Sequence, residues 1–238
     1  MSTILKLEDI EKHYKDFSLQ DISFSIGEGE VMGLVGPNGA GKTTIIKIIM
    51  GLVRPDGGEI EYFGLDWEEH EVAIKSKIGF VSDECHLPDH MTPTFAEKMM
   101  RSFYRNWDRG RYHNYIEQYE LPLKKPVGQF SKGMKMKLSL AIALSHRPEL
   151  VIMDEPTSGL DPLVRKFLLE EIETISKRDK TSFLFSSHII SDLQDIAHSI
   201  IILKNGRIIY YSSVDELLNR YPKDKKFDDI VLSLLEGG

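Results

Sequence analysis

Two stretches near the start of the chain alternate apolar and polar residues. They are ILKLEDIEKHY, from Ile4 to Tyr14, and FSLQDISFSI, from Phe17 to Ile26. Such alternation is typical of strands with one buried face, because successive side chains of a strand point to opposite sides. This part of the chain is therefore predicted to form half-buried strands.

Apolar runs further along the chain alternate with helical segments. EVMGLVG predicts a buried strand that leads into a glycine-rich turn, and the KTTIIKIIMGLV that follows has helical character. Buried strands are also predicted at KIGFVSD, ELVIMDEP, TSFLFSSH and SIIILKNGRIIYY. Strands that alternate with helices favour an α/β core with a largely parallel sheet.

The pattern changes between Asp83 and Arg147. Strand-like runs disappear, and TFAEKMMRSFYRNWDRGRYHNYIEQYEL carries apolar residues at helical spacing. The segment is predicted to be a helical insertion, and SVDELLNRYPKDKKFDDIVLSLLEGG a tail of short amphipathic helices. The predicted units are a core of residues 1–83 and 148–212, an insertion of residues 84–147 and a tail of residues 213–238.

Charge narrows the function classes. The 238 residues carry a net charge of −7, which argues against a broad surface that neutralises duplex DNA. The insertion holds 11 Lys and Arg against 6 Asp and Glu, so an acidic body carries a basic helical segment. That segment is either ordinary solvated helix surface or a docking or anion-facing surface.

Cysteine content and the N-terminus bear on location. The single Cys85 excludes an internal disulfide and fits a reducing compartment. The first residues do not resemble a signal peptide, and no stretch approaches the roughly 18 apolar residues that a membrane span needs. We therefore expect a cytoplasmic chain.

A glycine-rich stretch follows the strand EVMGLV. GPNGAGKTT has the strand, Gly-x-x-x-x-Gly-Lys-Ser/Thr, helix arrangement that wraps nucleotide phosphates. Glycines let backbone N–H groups curve around an anion, and the helix N-terminus adds a positive dipole. Lys42 can neutralise the β and γ phosphates, and Thr43 can ligate Mg²⁺. The candidate phosphate-binding residues are Gly36, Pro37, Asn38, Gly39, Ala40, Gly41, Lys42, Thr43 and Thr44.

Two adjacent carboxylates end the predicted strand LVIMDE. Asp154 can hold the Mg²⁺ shell and Glu155 can polarise an attacking water, although both could instead be simple capping acids. His188 ends the next run, TSFLFSSH. An isolated His is usually a satisfied surface or core residue, but at a strand end beside the cradle His188 is a candidate donor to the γ-phosphate.

These motifs, in this order, resemble the ATP-binding subunit of an ATP-binding-cassette (ABC) transporter over nearly the whole chain. FSKGM, Phe130–Met134, is similar to the family signature LSGGQ and keeps its Ser and second Gly. The other matches are Gly36–Thr44 with the Walker A motif, Leu150–Glu155 with Walker B, Ser158–Asp161 with the D-loop and His188 with the switch histidine.

The resemblance implies a fold and site roles. The fold would be α/β, with a P-loop NTPase core, a mainly parallel sheet, an N-terminal antiparallel β subdomain and an inserted α-helical subdomain. Glu155 would activate water, while Lys42 and His188 would stabilise the transferred charge. The remaining implied contacts are Tyr14 with adenine, Ser131, Gly133 and Asp161 with nucleotide, and Thr43, Asp83 and Asp154 with Mg²⁺.

Three positions depart from the family pattern. Asp83 stands where the family generally has Gln, so it offers an oxygen to Mg²⁺ or its water but lacks an amide donor and one methylene of reach. A merely structural role at the strand end is the alternative for Asp83. Lys132 and Met134 replace the Gly and Gln of the signature, and Met134 has no side-chain amide to offer to nucleotide.

The helix that begins at the signature has an unusual charge pattern. Ser131 is predicted as its N-cap, yet Lys132, Lys135 and Lys137 follow where acidic residues are favoured. The resemblance offers a reason, since this turn would close over the ATP of a second subunit. The three lysines are then predicted to add positive potential where the triphosphate docks.

The implied function is ATP hydrolysis that drives transport. Two subunits, identical or paralogous, would close head to tail on ATP and move a separate polytopic permease, at the inner face of the cell membrane. The short helical segment resembles the bacterial drug, antibiotic and peptide exporter branch. Trp107 and the Met and Phe positions of this segment are predicted to be core residues first of all. As the alternative for part of the segment, His86, Leu87 and Met91 would line a groove for a permease coupling helix.

Two other function classes compete with transport. One is a non-transport ABC ATPase acting on nucleic acid or ribosomes, although such relatives usually carry a long coiled coil or two cassettes in one chain, and no nucleic acid is expected here. The other is a P-loop phosphotransferase such as a nucleotide kinase. That class leaves the Ser-x-Gly turn, the Asp154–Glu155 pair and His188 as coincidences.

Overall fold

The chain folds into two sheets with helices packed on the larger one. The computed structural model describes residues 2–222 and 224–237, in which nine strands form a three-stranded and a six-stranded sheet. The strands are β1 (Thr3–His13), β2 (Ser18–Gly27), β3 (Val31–Val35), β4 (Gly57–Tyr62), β5 (Ile78–Ser82), β6 (Leu150–Asp154), β7 (Ser182–Ser187), β8 (Ser199–Lys204) and β9 (Arg207–Ser213). The predicted α/β fold is confirmed.

Helices follow most of the strands. They are α1 (Lys42–Ile49), α2 (Trp67–Ser76), α3 (Pro93–Phe103), α4 (Arg109–Gln118), α5 (Lys132–Leu144), α6 (Pro162–Asp179), α7 (Ile190–Ile196), α8 (Val214–Asn219) and α9 (Phe227–Gly237), with a 3₁₀ turn at Val127–Gln129. Among the described helices, none combines the length and the apolar character that crossing a membrane requires.

The small sheet is antiparallel, with the order β2-β1-β4. Leu5 and Leu7 of β1 are buried while Glu8 is exposed, as the alternation predicts. Asp9 adopts a φ of 49°, and the register shifts between Leu7 and Ile10, so Ile10 returns to the buried face. The sequence pattern missed β4, because GGEIEY contains two glycines and two glutamates.

The large sheet has the order β5-β6-β7-β3-β8-β9 and is parallel except for β9. The predicted run SIIILKNGRIIYY divides at Asn205 and Gly206, whose φ values of 50° and 74° fit a tight hairpin. The carboxyl ends of parallel strands meet at one edge of the sheet. Gly36, Glu155 and His188, which follow β3, β6 and β7, are therefore brought to the same edge.

The helical segment between β5 and β6 shares its core with the large sheet. Trp107 and Phe130 belong to the same hydrophobic cluster as Phe183 of the sheet and Phe227 of α9. The core position predicted for Trp107 is confirmed. The same prediction is wrong for Phe95 and Phe103, whose side chains are exposed. The boundaries of the three predicted units stay predictions, and residues 223 and 238 of the predicted tail lie outside the described part of the chain.

Met91 does not lie on the surface. Its side chain is only 6% exposed, and its backbone oxygen accepts a hydrogen bond from the Val127 N–H at 2.8 Å. The prediction that Met91 lines a docking groove is therefore wrong, because the chain folds back over it. His86 is exposed and Leu87 partly so, and both keep that predicted role.

His146 joins the end of α5 to the start of β5. Its side chain is 1% exposed, and Nε2 lies 3.1 Å from the Ile78 oxygen, which fits an Nε2–H donor. The Tyr104 ring stacks on the imidazole with centroids 4.0 Å apart. Burial lowers the pKa of His146 to about 4 from the ordinary 6.5.

This burial predicts a pH-dependent stability. Below pH 6.5 the unfolded chain binds a proton at His146, whereas the folded chain binds this proton only near pH 4. The free energy of unfolding should therefore fall by about 3 kcal/mol between these pH values on account of His146. Urea denaturation of wild type and His146→Gln at a series of pH values measures this contribution of His146 to the pH dependence of stability. The contribution should be absent in the variant.

The matched control is His90→Gln, because the His90 side chain is exposed and makes no hydrogen bond or ion pair among the described residues. Its urea midpoint should follow the pH dependence of wild type. A His146→Gln variant that retains the full wild-type slope between pH 6.5 and 4 would contradict the assignment.

Candidate functional site

The glycine-rich turn between β3 and α1 has the geometry of an anion cradle. Gly41 precedes α1 with a φ of 113°, a conformation that residues with a side chain rarely adopt. A Cβ on Gly36 would lie 2.4 Å from the Leu203 backbone oxygen, so only glycine fits there. The sequence Gly36–Thr44 thus forms the predicted strand, turn and helix start, with free backbone N–H groups at the N-terminus of α1.

Lys42 lies inside this turn. Its side chain is 5% exposed, and Nζ donates to the Gly36 oxygen at 2.7 Å. Nζ is also 3.3 Å from Glu155 Oε1. The cation of the cradle is therefore joined directly to the second carboxylate of the Asp154–Glu155 pair.

A row of hydroxyl and carboxylate oxygens connects α1, β6 and β7. Thr43 Oγ1 donates to Asp154 Oδ2 at 3.0 Å, and Ser186 Oγ donates to Asp154 Oδ1 at 2.7 Å. Ser186 Oγ also accepts from the Glu155 N–H at 3.0 Å. The structure thus brings together the predicted metal ligands Thr43 and Asp154.

Ser186 is a site residue that the sequence analysis missed. Asp154 and Ser186 are register partners in the parallel ladder of β6 and β7. Serine is common and carries no motif of its own. Its position two residues before His188 at a strand end was the one signal that could have found it.

Glu155 and His188 contact each other at the edge of the sheet. His188 Nδ1 shares a hydrogen bond with Glu155 Oε2, and the His188 side chain is 48% exposed. Glu155 adopts a φ of 50°, which is costly for a residue with a side chain. The strained backbone turns the Glu155 carboxylate toward Lys42 and His188.

Tyr14 lies beside the cradle. Its ring is 48% exposed and sits 6.5 Å, centroid to centroid, from Phe17. Phe17 in turn approaches the start of α1, since a Cβ on Gly41 would lie 2.8 Å from Phe17 Cζ. An exposed aromatic face next to the cradle fits the predicted stacking role, which stays a prediction.

Asp83 is the residue after β5. Ser82 is the register partner of Asp154, so Asp83 continues the strand next to the metal-ligand candidates. A groove of about 340 Å³ is lined by Asp83, Glu84, Lys132 and Lys135 among others. Asp83 and Lys132, two of the three positions that depart from the family pattern, therefore line the same groove. The role of Asp83 toward metal stays a prediction.

A second group of predicted residues lies apart from the first. Ser131 is the N-cap of α5 and accepts from the Met134 N–H at 3.2 Å, as predicted. Gly133 packs against Val164, since a Cβ on it would lie 2.8 Å from Val164 Cγ2. Asp161 caps α6. Within the described residues, no hydrogen bond or ion pair joins these side chains to Lys42 or to the residues around it.

The lysines of the signature helix point to different groups. Lys137 Nζ lies 4.4 Å from the centre of the Phe167 ring, and Lys135 Nζ lies 3.7 Å from Asp89 Oδ1. These contacts turn both cations toward groups of their own chain. Lys135 also lines the groove that contains Lys132, and the role predicted for the three lysines toward a docking triphosphate stays a prediction.

Comparison with known proteins supplies a family and close structural likenesses. The family described as ABC transporter matches residues 19–158. The bacitracin transport ATP-binding protein BcrA of Bacillus licheniformis is 33% identical over 232 residues, 95% of this chain and 75% of the relative. The matched range contains the cradle, the signature turn and the Asp154–Glu155 pair.

Two solved structures show the same fold. An ATP-binding subunit of an ABC transporter has a TM-score of 0.87 and 28% identity, covering 98% of this chain and 99% of that one. A dimeric ATP-binding cassette in a post-hydrolysis state, bound to ADP and Pi, has a TM-score of 0.77 and 26% identity, covering 89% and 99%. Both structural matches cover far more of the chain than the sequence motifs do.

Proposed function

The chain belongs to the ABC transporter family as an ATP-binding, ATP-hydrolysing subunit, and we propose that two such subunits close head to tail on ATP to drive a separate membrane permease. One observation carries the proposal. Lys42, Thr43 and Asp154 belong to one connected group, while no hydrogen bond or ion pair among the described residues joins Ser131 or Gly133 to it. Each group is half of a phosphate site, so a second subunit supplies the missing half. The similarity to a dimeric cassette bound to ADP and Pi supports this pairing.

Lys42 prepares the site for a triphosphate. Its Nζ is held at the Gly36 oxygen and Glu155 Oε1, inside the turn whose backbone N–H groups would surround the phosphates. Donation from Nζ to the β and γ oxygens replaces the ion pair with Glu155. The Glu155 carboxylate is then free to orient a water and accept its proton.

His188 supports Glu155 and the transferred charge. Nδ1 is held by the Glu155 carboxylate. In the imidazolium form both ring nitrogens donate, so Nε2 can donate to the γ-phosphate while Nδ1 stays on Glu155. The contact also fixes the ring in a position that a half-exposed histidine would not keep alone.

The oxygen row at the edge of the sheet fits Mg²⁺. A threonine hydroxyl and an aspartate oxygen 3.0 Å apart are the ligands that Mg²⁺ shares with substrate phosphates. Thr43 and Asp154 would hold the ion, with Ser186 orienting Asp154 and Asp83 offering a further oxygen, directly or through water. When bound, Mg²⁺ neutralises charge that develops on the β and γ oxygens.

The partners and the cargo follow from the relatives and the charge pattern. BcrA is a bacitracin transport protein, which supports export of an antibiotic or peptide through a polytopic permease. The basic helical insertion, with His86 exposed and Leu87 partly so, is the proposed contact with that permease. The subunit would then lie at the inner face of the cell membrane by this contact alone.

Co-purification tests the transport assignment. The tagged chain, expressed in its native cells and extracted with mild detergent, should retain one polytopic membrane protein in stoichiometric amount. Lys42→Ala should retain it equally, because the Lys42 side chain is buried inside the cradle and forms no part of the proposed docking surface. Recovery with RNA or ribosomes and without a membrane protein would instead favour the alternative, a non-transport ABC ATPase.

A further inference from the structure

An ion pair between a partly exposed arginine and a buried carboxylate joins the two helices that follow Asp161 and His188. Arg165 of α6 donates from its guanidinium to Asp192 Oδ1 of α7, and its Nη2 also donates to Ser191 Oγ at 3.0 Å. Asp192 is 1% exposed, and its Oδ2 has no hydrogen-bond partner among the described residues. A carboxylate so buried depends on its one cationic partner, so the pair holds α6 and α7 in a fixed relation.

Helix α7 carries this constraint to the nucleotide site of its own chain. It begins two residues after His188, whose ring contacts Glu155. Leu193 of α7 packs against β3, where a Cβ on Gly33 would lie 3.0 Å from two of its carbons. With so little room against the sheet, a displacement of α7 changes the position of His188 relative to Glu155.

Helix α6 carries the constraint to the signature turn. Asp161 caps α6 by accepting from the Leu163 and Val164 N–H groups at 3.1 Å. Val164 is the side chain against which Gly133 packs. Arg165 is the next residue after Val164 in the helix. A movement of the signature turn that displaces Val164 therefore also displaces the backbone that carries the Arg165 guanidinium.

We propose that Arg165 and Asp192 are positioning residues that couple the Ser131–Gly133 turn to His188 of the same chain. The inference rests on the proposed two-subunit site, in which that turn contacts the partner's nucleotide and His188 contacts the chain's own. When the Ser131–Gly133 turn closes over the partner's nucleotide, the movement is transmitted through Val164, Arg165 and Asp192. It thereby changes the contact of His188 with Glu155 at the chain's own nucleotide. The pair thus links the two sites of the dimer.

Steady-state kinetics of the full-length chain test this coupling. Arg165→Gln and Asp192→Asn should each lower kcat about 10-fold and change KM for ATP less than about twofold, since neither residue contacts the cradle. The Hill coefficient for ATP should exceed 1 in wild type and fall toward 1 in both variants. The double variant should have a kcat no lower than that of either single variant, because all three remove the same link.

Arg165→Lys provides a second variant if Arg165→Gln does not fold. It keeps the charge but loses the two-pronged donation to Asp192 and Ser191, so its kcat should lie between those of wild type and Arg165→Gln.

The matched control is the ion pair of Arg111 with Asp179, which joins α4 to the C-terminal end of α6 and is comparably sheltered. Arg111→Gln should lower the thermal midpoint but leave kcat and the Hill coefficient unchanged. If the Arg165 and Asp192 variants lose only stability, as the control does, or if the double variant loses the product of the single losses, the coupling is overturned while the proposed function stands. Absence of ATP hydrolysis by wild type would overturn both.

Discussion

Replacing Glu155 with Gln is expected to lower steady-state ATP hydrolysis by about 100-fold or more while ATP binding persists. Gln keeps the size and one acceptor oxygen, enough for the His188 contact, but it cannot accept a proton from water. The ion pair with Lys42 is also lost, so nothing in the variant opposes donation of Nζ to a triphosphate. ATP should therefore hold two Glu155→Gln subunits together.

Size-exclusion chromatography with and without ATP, together with phosphate release, measures both effects. Glu149→Gln is a suitable control, because Glu149 lies just before β6, at the opposite end of the strand, and pairs with Lys77 on the surface. It should hydrolyse ATP at the wild-type rate and elute as wild type does. Near-normal turnover of Glu155→Gln would remove Glu155 from the role of base.

The second large effect is expected at Ser131, where charge and capping can be separated. Asp and Asn are both good N-caps, so either should preserve the hydrogen bond to the Met134 N–H and the start of α5. Asp adds a negative charge facing the γ-phosphate of the partner site. Like charges at such range cost of the order of 3 kcal/mol, so Ser131→Asp should lower kcat/KM for ATP about 100-fold. Ser131→Asn should remain within about tenfold of wild type.

A mixing experiment shows whether the effect acts across subunits. Lys42→Ala removes the cradle cation and Ser131→Asp spoils the signature turn, so each variant alone should be inactive. Mixed dimers contain one site with an intact Lys42 from one subunit and an intact Ser131 from the other. The mixture should recover up to about a quarter of wild-type hydrolysis, by the statistics of pairing. If the two variants stay inactive together, the two-subunit site is contradicted.

The secondary structure could be predicted where the residue pattern matched its surroundings. Leu5, Leu7 and Ile10 give a readable strand because one face is buried and the other is wet, and the fully apolar β3 is readable because both faces are buried. The strand β4 could not be found in this way, since its glycines and glutamates pair with β1 through backbone atoms rather than through an apolar face. The prediction that Met91 lies on the surface was wrong because its burial depends on a loop far along the chain, at Val127.

Short sequence motifs by themselves determined the chemistry expected of the site. The cradle Gly36–Thr44 is one continuous stretch, so its glycines, its lysine and the following helix can be recognised together as a single motif. The family resemblance, and with it the roles expected of Glu155 and His188, followed from the order of such local motifs. These features depend on residues that are close together in the chain, so they can be read from the sequence.

The tertiary structure alone decided which of these groups touch. Ser186 orients Asp154, and Arg165 reaches Asp192, through strand register and helix packing that no motif encodes. The tertiary structure also placed Lys137 over the Phe167 ring, and brought Asp83, Lys132 and Lys135 to one groove. The physical reason is that side-chain hydrogen bonds and ion pairs act over about 3 Å, a distance set by the packing of elements that can be far apart in sequence.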